Sequence, residues 1–201
     1  TFLVQTLLDA AAICDRLGLE VALIGGLAVS LRVEPRFTRD VDIAVVVPDD
    51  RRAEAVVKAF RDAGYELRNT YENATVNRLA AVRLVPPGGE DEGIVDLFFS
   101  YTGIEDMVVA AAEPMVIPPD HQFPVASLGH LLALKLLAGR PTDLQDARAI
   151  LRTAGPQDMA TARDALALIE QRNVYPRRER KRRLSEELEE LIRTDPGEFR
   201  G

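Results

Sequence analysis

Cysteine is almost missing from this chain: Cys14 is the single one in 201 residues, which excludes an intramolecular disulfide framework. Histidine is nearly as scarce. Neither His121 nor His130 has a cysteine or histidine at ligand spacing, so both are read as structural or exposed rather than as zinc ligands. There is no apolar run long enough to span a bilayer and no signal-like start, so a cytoplasmic protein with no membrane contact is expected. Aromatic residues make up only 5% against a hydrophobic content of 47%, which predicts an aliphatic core in one domain with a helical extension. The formal net charge of -7 argues against non-specific nucleic-acid binding by the whole surface. Gly25-Gly26 is followed neither by Gly-Lys-Ser/Thr nor by a spaced third glycine, which excludes a Walker A loop and a dinucleotide fingerprint.

What the chain does have is a pair of aspartates one residue apart, Asp40 and Asp42, at the start of a β-branched run. Val41 to Val47, bounded by Pro48-Asp49-Asp50, reads as a short buried strand that ends in a helix-starting turn. Side chains alternate along a strand, so the two acids share one face, with Cα atoms about 6.6 Å apart, while Val41, Ile43 and Val45 take the other. Two like charges side by side are costly in a core unless a cation neutralises them. Magnesium fits this position, since it prefers hard oxygen ligands and is held by one or two carboxylates together with substrate phosphates; manganese is the alternative ion.

Upstream, Glu20 to Ile24 reads as a strand running into Gly25-Gly26, and Leu27 to Val33 as a short helix. Glycines there allow close backbone approach, and free N–H groups at a helix start favour anions such as phosphate. Downstream, Gly93 to Phe99 is a strand with one acid, Asp96, among apolar residues, hard to explain without a cation. Ser127 to Arg140 reads as a helix with a serine N-cap and a glycine stop. Lys135 lies within it among leucines and needs an anionic partner. Thr142 and Gln145 stand in capping-box spacing, so Asp143 and Asp146 begin the next helix near the lysine.

In this order, Gly-Gly, Asp-Val-Asp, a lone later acid and a lysine helix, the chain resembles the DNA polymerase β-like nucleotidyltransferases, and the Lys135, Arg140, Asp143, Asp146 arrangement is similar to the abortive-infection toxin type called AbiEii. The resemblance spans roughly residues 20 to 152. It implies an α+β fold, a polymerase β-like core with a mixed sheet flanked by helices, followed by a C-terminal helical bundle; the expected boundary divides residues 1–125 from 126–201. It implies transfer of NMP from an NTP to an acceptor hydroxyl with release of pyrophosphate. Asp40, Asp42 and Asp96 would be the metal ligands, Asp96 also helping to deprotonate the acceptor. Gly25 and Gly26 would seat the phosphates with Lys135, and Asp143 and Asp146 would belong to the nucleotide site. Gly26 stands where serine is common in this superfamily, which leaves one phosphate contact to the backbone, Ser30 or Thr38. The toxin-like branch suggests tRNA as acceptor and a cognate antitoxin as partner.

The remaining elements are predicted as helices over Phe2 to Leu17, Asp50 to Ala63 and Ile104 to Ala112, with strands at Tyr65 to Leu67 and Arg78 to Val85 and an acidic hairpin loop over Pro86 to Gly93. Pro114 to Pro124 is expected to be turn-rich, and everything from Leu128 onward helical. Arg177, Arg178, Arg180, Lys181, Arg182 and Arg183 form a basic cluster; a phosphate-rich partner and a solvated surface run both account for it. Arg36, Thr38 and Arg39 are candidate nucleotide contacts, although such residues before a strand are ordinary. Two other readings stay open: a non-catalytic nucleotide- or partner-binding module, and nucleotidylation of a small molecule or protein. A sugar-nucleotide glycosyltransferase built on Asp-x-Asp is disfavoured by the short chain and the lack of a donor domain.

Overall fold

The computed structural model describes residues 2–99, 101–173 and 183–194. Its centre is one seven-stranded mixed sheet. The strands are β1 (Val21–Ile24), β2 (Asp40–Val45), β3 (Glu66–Asn73), β4 (Arg78–Val85), β5 (Ile94–Phe98), β6 (Glu113–Ile117) and β7 (His121–Val125), in the spatial order β3-β4-β5-β2-β1-β7-β6. The β2/β5 and β1/β7 pairs are parallel and the others antiparallel. Central strands are aliphatic: Leu23, Val41, Ile43, Val45, Val95 and Leu97 are buried. Helices α1 (Phe2–Arg16) and α3 (Asp50–Asp62) pack together, α1 also on β2 and β5, while α2 (Gly25–Arg32) and α4 (Glu105–Ala110) lie on β1 and β2. The result is an α+β fold, a mixed sheet flanked by helices.

The helical portion that follows consists of α5 (Leu128–Ala138), α6 (Pro141–Thr153), α7 (Pro156–Arg172) and α8 (Leu184–Thr194). Helix α5 is apolar nearly all round, as a helix enclosed by others must be; it contacts α2, α6, α7 and α8. Ser127 caps its start through the His130 N–H, and Gly139 stops it with φ +63, a conformation that glycine adopts without a Cβ penalty. Asp49 caps α3 in the same way by accepting from the Arg52 N–H at 2.8 Å. His130 is buried and its Nδ1 lies 2.9 Å from Ser127 Oγ, whereas His121 is exposed. Among the described residues no helix is long and apolar enough to cross a membrane.

Four expectations differ from what is found. The stretch from Pro114 to Pro124 is the β6–β7 hairpin, not a run of turns; Pro114 and Pro124 face each other in register, Pro114 on the edge strand, where proline is tolerated, and Pro124 just before Val125, the register partner of Leu23 on β1. Strand β3 extends to Asn73, because an edge strand with mostly exposed side chains lacks the alternation that marks a half-buried strand. Helix α2 begins at Gly25, two residues early. The cap of α6 is not Thr142: Pro141 takes the first helical position, so Asp143 becomes the third residue and accepts from the Arg140 N–H at 3.2 Å.

Candidate active site

The parallel pairing of β2 with β5 sets Asp42 opposite Asp96, and Asp40 opposite Ile94. Asp40 and Asp42 share the strand face that opens onto a cavity of about 520 Å³, lined also by Asp96, Gly25, Gly26, Thr38, Lys135 and Asp143. Pockets for small ligands are typically some 300 to 1,000 Å³. The acids of the two strands thus converge on one cavity, through register alone.

Their electrostatics are strained. Burial pushes the Asp42 carboxyl up from 3.8 to about 7, with further upward pressure from Asp96 and Asp40, against the pull of Lys135 and the Gly26 N–H. Asp40 is also raised, first by burial, with Arg83 opposing and Asp96 adding to the shift. Such a pair fits a hard divalent ion, which would relieve the repulsion between the two carboxylates.

Asp96 is differently placed. Arg83 Nε and Nη2 donate to its Oδ1 and Oδ2 at 2.9 and 2.6 Å, and Nη2 also lies 3.6 Å from Asp40 Oδ2. The hydrogen bonds to Asp96 hold the Arg83 guanidinium above its ordinary pKa. Among the described residues no group of three or more His, Cys, Asp or Glu side chains is posed as a metal cage. The expectation that Asp96 joins Asp40 and Asp42 as an ion ligand and base therefore meets an obstacle: both of its oxygens are engaged by a guanidinium.

The glycine turn is fitted to these acids. Gly25 has φ +68, and a Cβ there would fall 1.9 Å from Asp42 Oδ2. A Cβ on Gly26 would fall 2.3 Å from Arg36 Nη2 and 3.0 Å from Thr38 Oγ1. Where a serine is common, the space is filled by an arginine from the following loop. Ser30 lies outside the cavity lining; its Oγ is 3.1 Å from Gly26 O and 3.3 Å from Arg36 O, which holds the loop to the helix.

Behind the turn lies a buried charge network. Lys135 Nζ is 3.0 Å from Asp143 Oδ1 and 2.8 Å from Asp146 Oδ2, with all three side chains nearly sealed from solvent. Arg140 Nε donates to Asp143 at 2.7 Å. Arg36 Nη2 donates to Asp146 Oδ2 at 2.8 Å, and its Nε lies 2.8 Å from Oδ1 without hydrogen-bond alignment. Burial alone would raise the Asp143 pKa, but the Arg140 hydrogen bond and the Lys135 ammonium bring it below the ordinary range. Asp143 and Asp146 thus hold three cations in place, Lys135, Arg140 and Arg36, and all three line the cavity.

Sequence reasoning missed Arg83. Its signal was present: one basic residue within the otherwise apolar run Leu79 to Val85 mirrors the lone acid of β5. Also unforeseen are Phe37, 79% exposed on the loop that lines the cavity, with the Arg39 guanidinium 5.5 Å from its ring centroid, and Tyr71. Of the basic cluster, Arg177, Arg178, Arg180, Lys181 and Arg182 lie outside the described residues; Arg183 is exposed, and its N–H donates to Glu186.

Comparison with solved structures supports the fold. The chain is similar to the antibiotic-resistance factor ANT(2″)-Ia in solution, with TM-score 0.54 and 13% identity over 85% of this chain and 96% of that one. Similarity to ANT(2″)-Ia in complex with adenylyl-2″-tobramycin gives TM-score 0.55 and 12% identity over 86% and 99%. An antigenic nucleotidyltransferase-like protein from Paracoccidioides brasiliensis gives 0.50 and 19% over 95% and 92%. No curated protein matches the chain. The family described as nucleotidyl transferase AbiEii toxin, type IV TA system, matches residues 6–200, and with paired acids, glycine turn and lysine helix in one cavity, the chain belongs to that nucleotidyltransferase family.

Proposed function

We propose that this enzyme is a metal-dependent transferase that moves NMP from an NTP to an acceptor hydroxyl and releases pyrophosphate. The observation that carries the reading is the β2/β5 register, which brings Asp42 beside Asp96 at the wall of a cavity that also holds Lys135, Arg36 and Arg140. Asp40 and Asp42 are the residues that would hold a divalent ion, magnesium or manganese. When bound, such an ion neutralises phosphate charge and makes the acceptor hydroxyl easier to deprotonate.

The chain's own residues supply position and field. Lys135, fixed between Asp143 and Asp146, and Arg36, fixed by Asp146, present positive charge to the triphosphate from a preorganised frame, so little reorganisation is needed as charge develops. Gly25 and Gly26 leave room for the Asp42 carboxylate and the Arg36 guanidinium at the wall where phosphate would sit, and Thr38 adds a hydroxyl. Ser30 acts from behind by holding the loop that carries Arg36. Asp96 fixes Arg83 rather than serving as a free base.

The acceptor is proposed to be tRNA, with the basic run from Arg177 to Arg183 as its dock and a cognate antitoxin as regulator, as the toxin family suggests. Incubation with α-labelled NTPs and total RNA tests the reading directly: RNA should carry the label in the wild type and not in Asp42→Ala. A parallel incubation with aminoglycosides addresses the small-molecule alternative raised by ANT(2″)-Ia; label on those compounds alone would overturn the tRNA assignment.

A further inference from the structure

One charged row crosses three strands. Arg83 on β4 is the register partner of Asp96 on β5, and Asp96 is the register partner of Asp42 on β2. Directly opposed residues on paired strands have Cβ atoms about 5 Å apart, so pairing, and not a chance rotamer, puts the guanidinium against the acids. Its fork meets Asp96 at 2.9 and 2.6 Å, the planar two-point fit that arginine offers a carboxylate and lysine does not. The same Nη2 stands 3.6 Å from Asp40. The group therefore lies between two acids as a bridging cation would.

A second divalent ion at this end of the cluster would have to take its oxygens from Asp96. Both are engaged, and Asp96 is only 7% exposed, so withdrawing it from Arg83 would leave a guanidinium beside a doubly charged ion with Asp40 as its remaining anion. Asp40, by contrast, is met by Arg83 at one contact of 3.6 Å, longer than either bond to Asp96. Arg83 is a charged residue in an apolar strand, and it lines the cavity.

We infer that Arg83 is the resident second cation of this site, so that the acidic cluster takes one divalent ion, at Asp40 and Asp42, and not two. The inference rests on the reading above that this cluster binds a divalent ion. Arginine stays charged at every pH a folded protein meets, so one of the two positive centres is built into the sheet. Asp96 is then a positioning residue that acts through Arg83.

Mn²⁺ binding to the full chain without nucleotide, followed by electron paramagnetic resonance, tests this with no appeal to activity. The wild type should bind one Mn²⁺ per chain. Arg83→Gln should bind two, its second ion at least tenfold more tightly than any second ion on the wild type. Arg83→Lys, which keeps the charge, should stay at one, and Arg83→Gln/Asp96→Asn, a neutral pair of similar shape, should return to one. Two ions on the wild type, or one on Arg83→Gln with unchanged affinity, would overturn the inference and leave the ion-binding reading standing. If Arg83→Gln does not fold, the wild-type stoichiometry and the double variant still decide. No Mn²⁺ uptake by the wild type, or uptake that Asp42→Asn leaves intact, would overturn the ion-binding reading itself and this inference with it.

Discussion

Replacing Asp42 by asparagine should make the ion-free protein more stable while it removes ion binding. The fold favours the protonated carboxyl of residue 42, because burial and the neighbouring Asp96 and Asp40 raise it from 3.8 to about 7. Its contribution to stability is therefore complete below about pH 4 and is lost as the pH climbs through 7. At about 1.4 kcal/mol per tenfold change in protonation, keeping this group ionised in the fold at pH 8 costs up to about 4 kcal/mol relative to the unfolded chain. Asparagine has the same shape and carries no charge, and it can still accept from the Gly26 N–H. For a chain of this size about 1 kcal/mol shifts the midpoint by about 2 to 4 °C, so Asp42→Asn should melt about 10 °C above the wild type at pH 8, with the gap nearly closed at pH 4. Thermal melts in chelator across this range measure it. Addition of Mg²⁺ should then raise the wild-type midpoint at pH 8 and leave that of the variant unchanged. An asparagine variant no more stable than the wild type at pH 8 would refute the reasoning, because the acids would then not be in conflict.

Gly25→Ala should destabilise far more than Gly18→Ala: both have positive φ, but only at Gly25 would the new Cβ collide with Asp42, so Gly18→Ala should cost about 1 to 2 kcal/mol, and only Gly25→Ala should also lose the Mg²⁺-dependent rise in melting temperature. Lys135→Met should lower stability by about 3 kcal/mol or more in urea titrations, since Asp143 and Asp146 would keep their arginines but lose the ammonium between them; a loss below about 1 kcal/mol would contradict the network. Cys14 is buried and its thiol is pushed up to about 12 by burial and Asp15, so a thiol reagent at pH 8 should label it only as fast as the chain opens, and rapid labelling of the native protein would place it at the surface.

The site was legible in the sequence wherever a residue is costly without its partner. Asp40 and Asp42 in a β-branched run, Asp96 alone in an apolar strand and Lys135 among leucines each demand a counter-charge, and the structure brings all four to one cavity. Arg83 makes the same demand, yet its partner is known only once β4 is paired with β5, and that register is a long-range property. Arg36 is similar: its proximity to Gly26 depends on Asp146, 110 positions away, so the glycine looked like a missing hydroxyl when it is space for a guanidinium. The β6–β7 hairpin was hidden by its prolines, and the length of β3 by the solvated side chains of an edge strand. Helix α5 was the clearest part, because Ser127 and Gly139 mark its ends through local geometry that needs no distant contact, whereas the start of α6 was misplaced at Thr142.

Whether the acids of β2 act on the α-phosphate of a nucleotide is decided by supplying the purified protein with one NTP labelled in turn at the α and the γ position, together with total RNA, in Mg²⁺. The α-label should appear on RNA and the γ-label in released pyrophosphate, with neither event in Asp42→Asn. Transfer of γ-label to RNA, or undiminished α-transfer by the Asp42→Asn protein, would contradict that role for the acids.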